Sequence, residues 1–169
     1  MGFDLYGVNP KERKHISKYP TYGKYNDMDF SERTNILEKN PEIQKEYWKE
    51  MEEYENENPG RYFRNNVWWW RPLWDYVCDA CQDVLKEEDW NQGHYNDHHL
   101  IDEEKSIAIA DILDRELENG DTEKYKKLYD EQIKELSKKD KFESSYPFSI
   151  ENVKVFSTFC RESGGFTIG

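Results

Sequence analysis

The chain has no long hydrophobic run. No segment reaches the roughly 18 consecutive apolar residues that a membrane-spanning helix needs, so no transmembrane span is expected. The start, Met1-Gly2-Phe3-Asp4-Leu5-Tyr6, has no basic stretch followed by an apolar one, so no signal peptide is expected either. Gly2 does not make a myristoylation site, because that motif requires Ser or Thr where this chain has Tyr6. Cysteine is scarce: three in 169 residues, with Cys78 and Cys81 one helical turn apart. An odd, small number fits reduced thiols or metal ligands in a cytoplasmic protein better than a disulfide framework. Positive charge is in deficit, with 24 Lys and Arg against 36 Asp and Glu and a net charge of −12. That deficit argues against direct binding of nucleic acid, which needs cations to displace counterions from phosphate. It leaves open a basic protein partner, including one whose DNA-binding surface an array of carboxylates would occupy by mimicry.

Aliphatic residues are also few, since all hydrophobic residues together make up 36%. Aromatics compensate at 15%, including six Trp, twelve Tyr and eight Phe. Each buried ring removes on the order of 150–250 Å² from water, so a small core rich in rings is expected and disorder of the whole chain is not. The length fits one domain over residues 1–169.

Periodicity places helices along most of it. Ile43, Tyr47, Met51 and Tyr54 recur every three or four residues after Asn40-Pro41, a helix-start signal, and end near Asn58-Pro59-Gly60. Asp102 caps a helix with Ile109, Ile112, Leu113 and Leu117 on one face, and Asn119-Gly120 ends it. Tyr125, Leu128, Tyr129, Ile133 and Leu136 continue as its antiparallel neighbour. Ser149 caps a last helix that stops at Gly164-Gly165. The region 11–29 has no period and reads as a loop, and 87–99 reads as a second one. At the two ends, Phe3 and Leu5 alternate with polar residues, and Phe166-Thr167-Ile168 can pair with them. The expected fold is mainly α, a single-domain helical bundle with a short N-/C-terminal β element at most.

The centre of the sequence is Tyr62-Phe63-Arg64-Asn65-Asn66-Val67-Trp68-Trp69-Trp70-Arg71-Pro72-Leu73-Trp74, which holds four of the six tryptophans. Because Pro72 disfavours a helical Arg71, the main helix is expected to begin near Arg71, with Val67 to Trp70 extended. A kinked helix running through Pro72 is the alternative. Flat apolar faces, amides and guanidinium groups are what a nucleotide requires for its base, its base edge and its phosphate. Arg64, Asn65, Asn66, Trp68, Trp69, Trp70 and Arg71 are therefore candidate ligand residues, with His94, Asn96 and Asp97 of the histidine loop as additions. The tryptophans are equally good core residues whose arginine neighbours pair with carboxylates such as Asp75.

A metal site is the second candidate. Cys78-x2-Cys81-x12-His94-x3-His98 has the spacing of a two-Cys, two-His zinc site, with His99 as a substitute for His98. A DNA-reading finger is excluded, because such fingers place the Cys pair on a hairpin and the His pair on a helix. A structural zinc and two buried thiols acting as small hydrophobes both remain open. No nucleophile with a base, Gly-rich phosphate loop or His-Glu-x-x-His is found, and the histidine loop alone would carry a hydrolase or transferase.

Gly2-Phe3-Asp4-Leu5-Tyr6-Gly7, the stretch from Asn58 to Trp74, Gly93-His94-Tyr95-Asn96-Asp97 and Ser163-Gly164-Gly165-Phe166 together resemble a set of small proteins from bacteriophage genomes and environmental viral sequence. The resemblance touches both ends and the middle of the chain. It implies a phage context without an established activity, and in that context the cytoplasm expected from the thiols is that of the host cell. Some relatives carry a Cys-rich, zinc-ribbon-like insertion before the last helix. Ser137 to Ser145 here contains no Cys, so whatever that insertion does is not expected of this chain.

Overall fold

The computed structural model describes residues 2–139 and 146–169. Residues 140–145, in the polar stretch before the last helix, lie outside the described residues. The fold is mainly α, as the periodicity implied, with eight α-helices and four short strands among the described residues. The chain divides into two compact units, Met1–Lys11 with Gly60–Gly169, and Glu12–Pro59.

The larger unit is built on a four-stranded antiparallel sheet. Strand β1 (Gly2–Gly7) lies between β2 (Tyr62–Asn66) and β4 (Phe166–Ile168), and β3 (His99–Ile101) completes the order β2-β1-β4-β3. The pairing of the two ends of the chain is as expected, and two further strands flank it. Leu5 faces Phe63 on one side and Ile168 on the other. The two-residue period sends Phe3 and Leu5 into the core and Tyr6 to the outer face. Gly164 and Gly165 turn the chain into β4 at φ +65° and +89°, a region that glycine enters without steric cost.

Against the sheet pack α4 (Val67–Ala80) and α8 (Ile150–Glu162); α6 (Glu103–Asn119) lies against α8 and α4, with α7 (Asp121–Ser137) beside it. Helix α6 is capped by Asp102, whose carboxylate accepts from Lys105 N at 2.9 Å, and Ser149 caps α8 in the same way through Asn152 N at 3.2 Å. Gly120, at φ +86°, separates α6 from α7.

Helix α4 corrects one expectation. It begins at Val67 and runs through Pro72, because Asn66 is its N-cap and accepts from Trp69 N at 3.1 Å. The proline costs roughly 3 kcal/mol as an interior helix residue. Against that, Trp70, Leu73, Trp74 and Val77 form a fully buried face at i, i+3, i+4 and i+7, each contributing on the order of 1.5–3 kcal/mol. Burial outweighs the missing hydrogen bond.

The smaller unit contains α1 (Pro20–Asn26), α2 (Phe30–Lys39) and α3 (Pro41–Glu57), after a 3-10 turn at Ile16–Lys18. Most of the region 11–29, expected as a loop, is thus ordered. Pro20 opens α1, but Tyr19 supplies no side-chain cap. The cap comes from α3, where the buried Glu50 carboxylate accepts from Tyr22 N at 2.7 Å. Tyr19, Tyr22, Tyr25, Leu37, Tyr47 and Tyr54 make the core of this unit. Asn58 closes it by accepting from Lys14 N at 3.0 Å and donating to Lys14 O at 3.1 Å.

Candidate functional site

The tryptophan run separates by helical geometry. Trp70 and Trp74 are fully buried and stacked, with centroids 5.3 Å apart and an interplanar angle of 15°. Trp68 is half-buried against Tyr146 at 4.7 Å, and Trp69 is 39% exposed. Trp70 is therefore core.

The buried indoles position something else. Trp70 Nε1 donates to Gly93 O at 2.7 Å, and Trp74 Nε1 donates to Trp90 O at 3.1 Å. Both acceptors belong to the segment that was expected to be a loop, which contains the short helix α5 (Glu87–Gln92) and ends at β3. Buried indole N–H groups require acceptors, and here the acceptors dock α5 and the following turn onto α4. The approach is close: a Cβ on Gly93 would lie 2.0 Å from Trp74 Nε1. A second tie is Asp89 on α5, 3% exposed. Its carboxylate accepts from Lys105 Nζ at 2.7 Å and Lys86 N at 2.9 Å, and lies 2.9 Å from His99 Nε2. Burial alone would raise the Asp89 pKa. The bonds from Lys105, Lys86 and His99 overcome that and hold it below the usual carboxylate value.

This docking brings His94 beside α4. His94 Nε2 is 3.3 Å from Asp75 Oδ1. Arg71, Asn91, His94 and Tyr95 line an open hollow of about 440 Å³ whose lining contains no carboxylate. Arg71 also borders a second hollow of about 270 Å³, lined by Pro72, Asp75, Tyr129, Gln132, Ile133, Leu136 and Tyr146. Its guanidinium Nη1 lies 3.4 Å from Tyr146 Oη. One cation thus stands between a polar hollow and an apolar, tyrosine-lined one.

The remaining candidates lie elsewhere. Arg64, Asn65 and Trp69 line a separate groove between β2 and α8. There Arg64 Nε is 3.5 Å from Asp4 Oδ1, and Asn65 and Asn152 exchange side-chain bonds of 3.1 and 2.6 Å. Asn66 is the α4 cap, Asn96 donates to Gly2 O at 2.9 Å, and Asp97 is exposed and lines neither Arg71 hollow. The structure does not bring Arg64 and Arg71 into one site. It adds Asn91, Tyr95, Tyr129 and Tyr146 to Arg71 and His94.

The Cys78, Cys81, His94 and His98 set is not assembled. Among the described residues no three His, Cys, Asp or Glu side chains are grouped so as to hold a metal ion. Cys81 and Cys160 are fully buried, and His94 meets Asp75 instead. His99, the alternative to His98, is committed to Asp89. Burial pushes the Cys81 thiol up to about 12, and raises Cys78 and Cys160 well above the ordinary value. These are thiols that resist becoming the thiolates a metal binds.

No family model, curated protein or solved structure matches this chain. Among the described residues no helix is long and apolar enough to cross a membrane.

Proposed function

We propose that this protein binds a small anionic ligand with a flat apolar part, a nucleotide or a nucleotide-derived signal, at the two hollows around Arg71. The observation that carries the reading is that Arg71 borders both hollows, one without carboxylates and one lined by tyrosines, in a chain with twelve more acidic than basic residues. In this reading Arg71, Asn91, His94 and Tyr95 take the phosphate, where a guanidinium gives short, charge-assisted bonds. Tyr129, Tyr146, Ile133 and Leu136 receive the base, as apolar and aromatic linings with a few convergent polar groups do in ligand sites. Asp75, shared between His94 and the second hollow, is placed to accept from a base amino group or a ribose hydroxyl.

The resemblance to phage proteins extends the proposal. A phage-encoded protein in the cytoplasm of an infected cell that withholds a nucleotide messenger would counter a host defence relying on that messenger. Calorimetry with adenosine 5′-monophosphate, and separately with adenosine and inorganic phosphate, tests the site. The monophosphate is expected to bind more tightly than either half. Arg71→Ala should weaken it at least tenfold, and Arg64→Ala should leave it unchanged. Equal affinity in Arg71→Ala, or no heat together with no nucleotide-sized mass excess in native mass spectrometry, would overturn the reading.

A second reading rests on the charge distribution. Residues 75–118 contain fourteen Asp and Glu against three Lys and Arg, a net of −11 out of the chain's −12. Eleven of those carboxylates are exposed. They support an acidic inhibitor, a DNA mimic, that occupies a basic surface of a host enzyme. Such binding would fall steeply with salt and be indifferent to Arg71→Ala. Part of this charge has a local reason, since Glu87, Glu88, Glu103 and Glu104 sit in the first turns of α5 and α6 and favour the helix dipoles. For that reason the ligand site is the preferred reading.

A further inference from the structure

The register of the sheet leaves the outward backbone groups of β2 with no strand beside them. Gly7 N donates to Arg61 O at 2.9 Å, so odd-numbered residues of β1 direct their backbone groups toward β2. Asp4 exchanges bonds with Gly169 at 2.8 and 2.9 Å, and Val8 N donates to Gly165 O at 2.8 Å, so even-numbered residues point toward β4. In an antiparallel pair the hydrogen-bonded and non-bonded positions alternate. With Leu5 opposite Phe63 and Asp4 opposite Arg64, the backbone groups of Phe63 and Asn65 face β1. Those of Tyr62 and Arg64 face away from it. Strand β2 is the edge of the sheet, so the Tyr62 and Arg64 groups open into the groove of about 410 Å³ that these residues line with Trp69, Asn152 and Val155.

We propose that this groove receives an extended segment of a partner protein, added to β2 as a fifth strand. Addition of a strand to an open edge gives affinity through main-chain bonds and specificity through alternate side chains. The side chains available here are unequal on the two faces. Toward α8 the added strand meets Val155, which is exposed, and Trp69, which calls for apolar residues there. Glu151 of α8 also lines the groove, so the partner's carboxylates belong on the Arg64 face alone. On the outer face it lies beside Arg64, whose Nε is 3.5 Å from Asp4 Oδ1 but whose side chain is 65% exposed, so that its Nη groups are open to a carboxylate. The Arg64 carbonyl already accepts from Asn65 Nδ2 at 2.7 Å, and its second lone pair is the acceptor for the incoming amide. A second copy of this chain fits the edge less well. Antiparallel self-pairing of a five-residue strand centred on Arg64 sets the two guanidinium groups directly opposite each other, and like charges in that position are destabilising.

The test uses the full chain and a fluorescently labelled heptapeptide alternating valine and aspartate. Two control peptides replace aspartate by lysine or N-methylate alternate backbone amides. In the free protein the Tyr62 and Arg64 amides are expected to exchange with solvent as fast as exposed loop amides, and peptide should slow both at least tenfold. N-methylation should abolish binding, and Arg64→Glu should transfer the preference from the aspartate to the lysine peptide. Absence of binding at millimolar peptide overturns the proposal. So does binding indifferent to N-methylation, or protection of both amides without peptide alongside sedimentation as a dimer, which would assign the edge to self-pairing. Competition by adenosine 5′-monophosphate is not expected, which separates this site from the one at Arg71.

Discussion

Replacing Gly93 by Ala tests the central packing arrangement. Gly93 sits at φ −62° and ψ −13°, a conformation that alanine adopts freely. On chain entropy alone the substitution should stabilise the protein by about 0.4–1 kcal/mol. The new Cβ, however, would lie 2.0, 2.1 and 2.6 Å from three atoms of the Trp74 indole. Trp74 is fully buried and stacked on Trp70, so it cannot swing aside and α5 must lift. Overpacking of this kind costs roughly 1–3 kcal/mol. Lengthening the two indole bonds to Gly93 O and Trp90 O adds about 1 kcal/mol each. The steric penalty wins, and a net loss of about 3 kcal/mol is expected, equivalent to a fall of roughly 6–12 °C in Tm. Denaturant unfolding followed by tryptophan fluorescence is the assay. Five of the six tryptophans belong to the larger unit and only Trp48 to the smaller, so the signal reports mainly on the affected region. If Gly93→Ala unfolds at the wild-type midpoint or above it, the indole–α5 contact does not position His94 as described.

Two further perturbations act on nearby groups. Asp89→Asn removes the charge that Lys105 and His99 share, and should cost about 2–4 kcal/mol, since breaking a buried pair strands its partner. The folded Asp89 pKa is lowered, so its contribution to stability is complete above the unfolded value of about 3.9 and is lost as pH falls through the folded value. Wild type should therefore lose stability below about pH 4 more steeply than Asp89→Asn in pH-dependent urea unfolding; parallel curves would contradict this. The three thiols, all raised by burial, should react with a disulfide reagent at pH 8 only after unfolding. Rapid labelling of Cys78 in the native protein would show that it is not held as a thiol.

What the sequence revealed depended on how local the cause was. Helices α3, α6, α7 and α8 carry their own period and, in α6 and α8, their own cap, and all four were legible. Helix α1 was not, because Glu50, 28 residues away, supplies its cap. The start of α4 was missed because the rule for the residue before proline is a local one, and the burial of Trp70 and Trp74 that overrides it is tertiary. Strand β3 lies at the end of the polar, histidine-rich segment and carries no alternation, whereas β4, equally short, is marked by Gly164-Gly165 before it and by Phe166 and Ile168 flanking Thr167. For the site, Arg71 and His94 stood out as a cation and a titratable group in an aromatic context. Tyr129 and Tyr146 did not, because nothing in the sequence indicates that α7 and the residues after it border Arg71. Trp70 stood out for the wrong reason, since it is fully buried and, with Trp74, holds the histidine segment through its N–H group.

The position of the smaller unit in the chain has a consequence of its own. Residues 12–59 are spliced between two neighbouring strands, and both flanks of the splice rest on Glu162, with Lys11 N donating to its carbonyl at 2.7 Å and Gly60 packed against the same oxygen. The larger unit thus holds the ends of the splice together by itself. Because closing a loop costs only slowly more as the loop lengthens, a short turn or a quite different insert would be nearly as acceptable there. The larger unit is a host and the smaller one a guest, and this junction is where the guest can be exchanged while the host keeps its sheet.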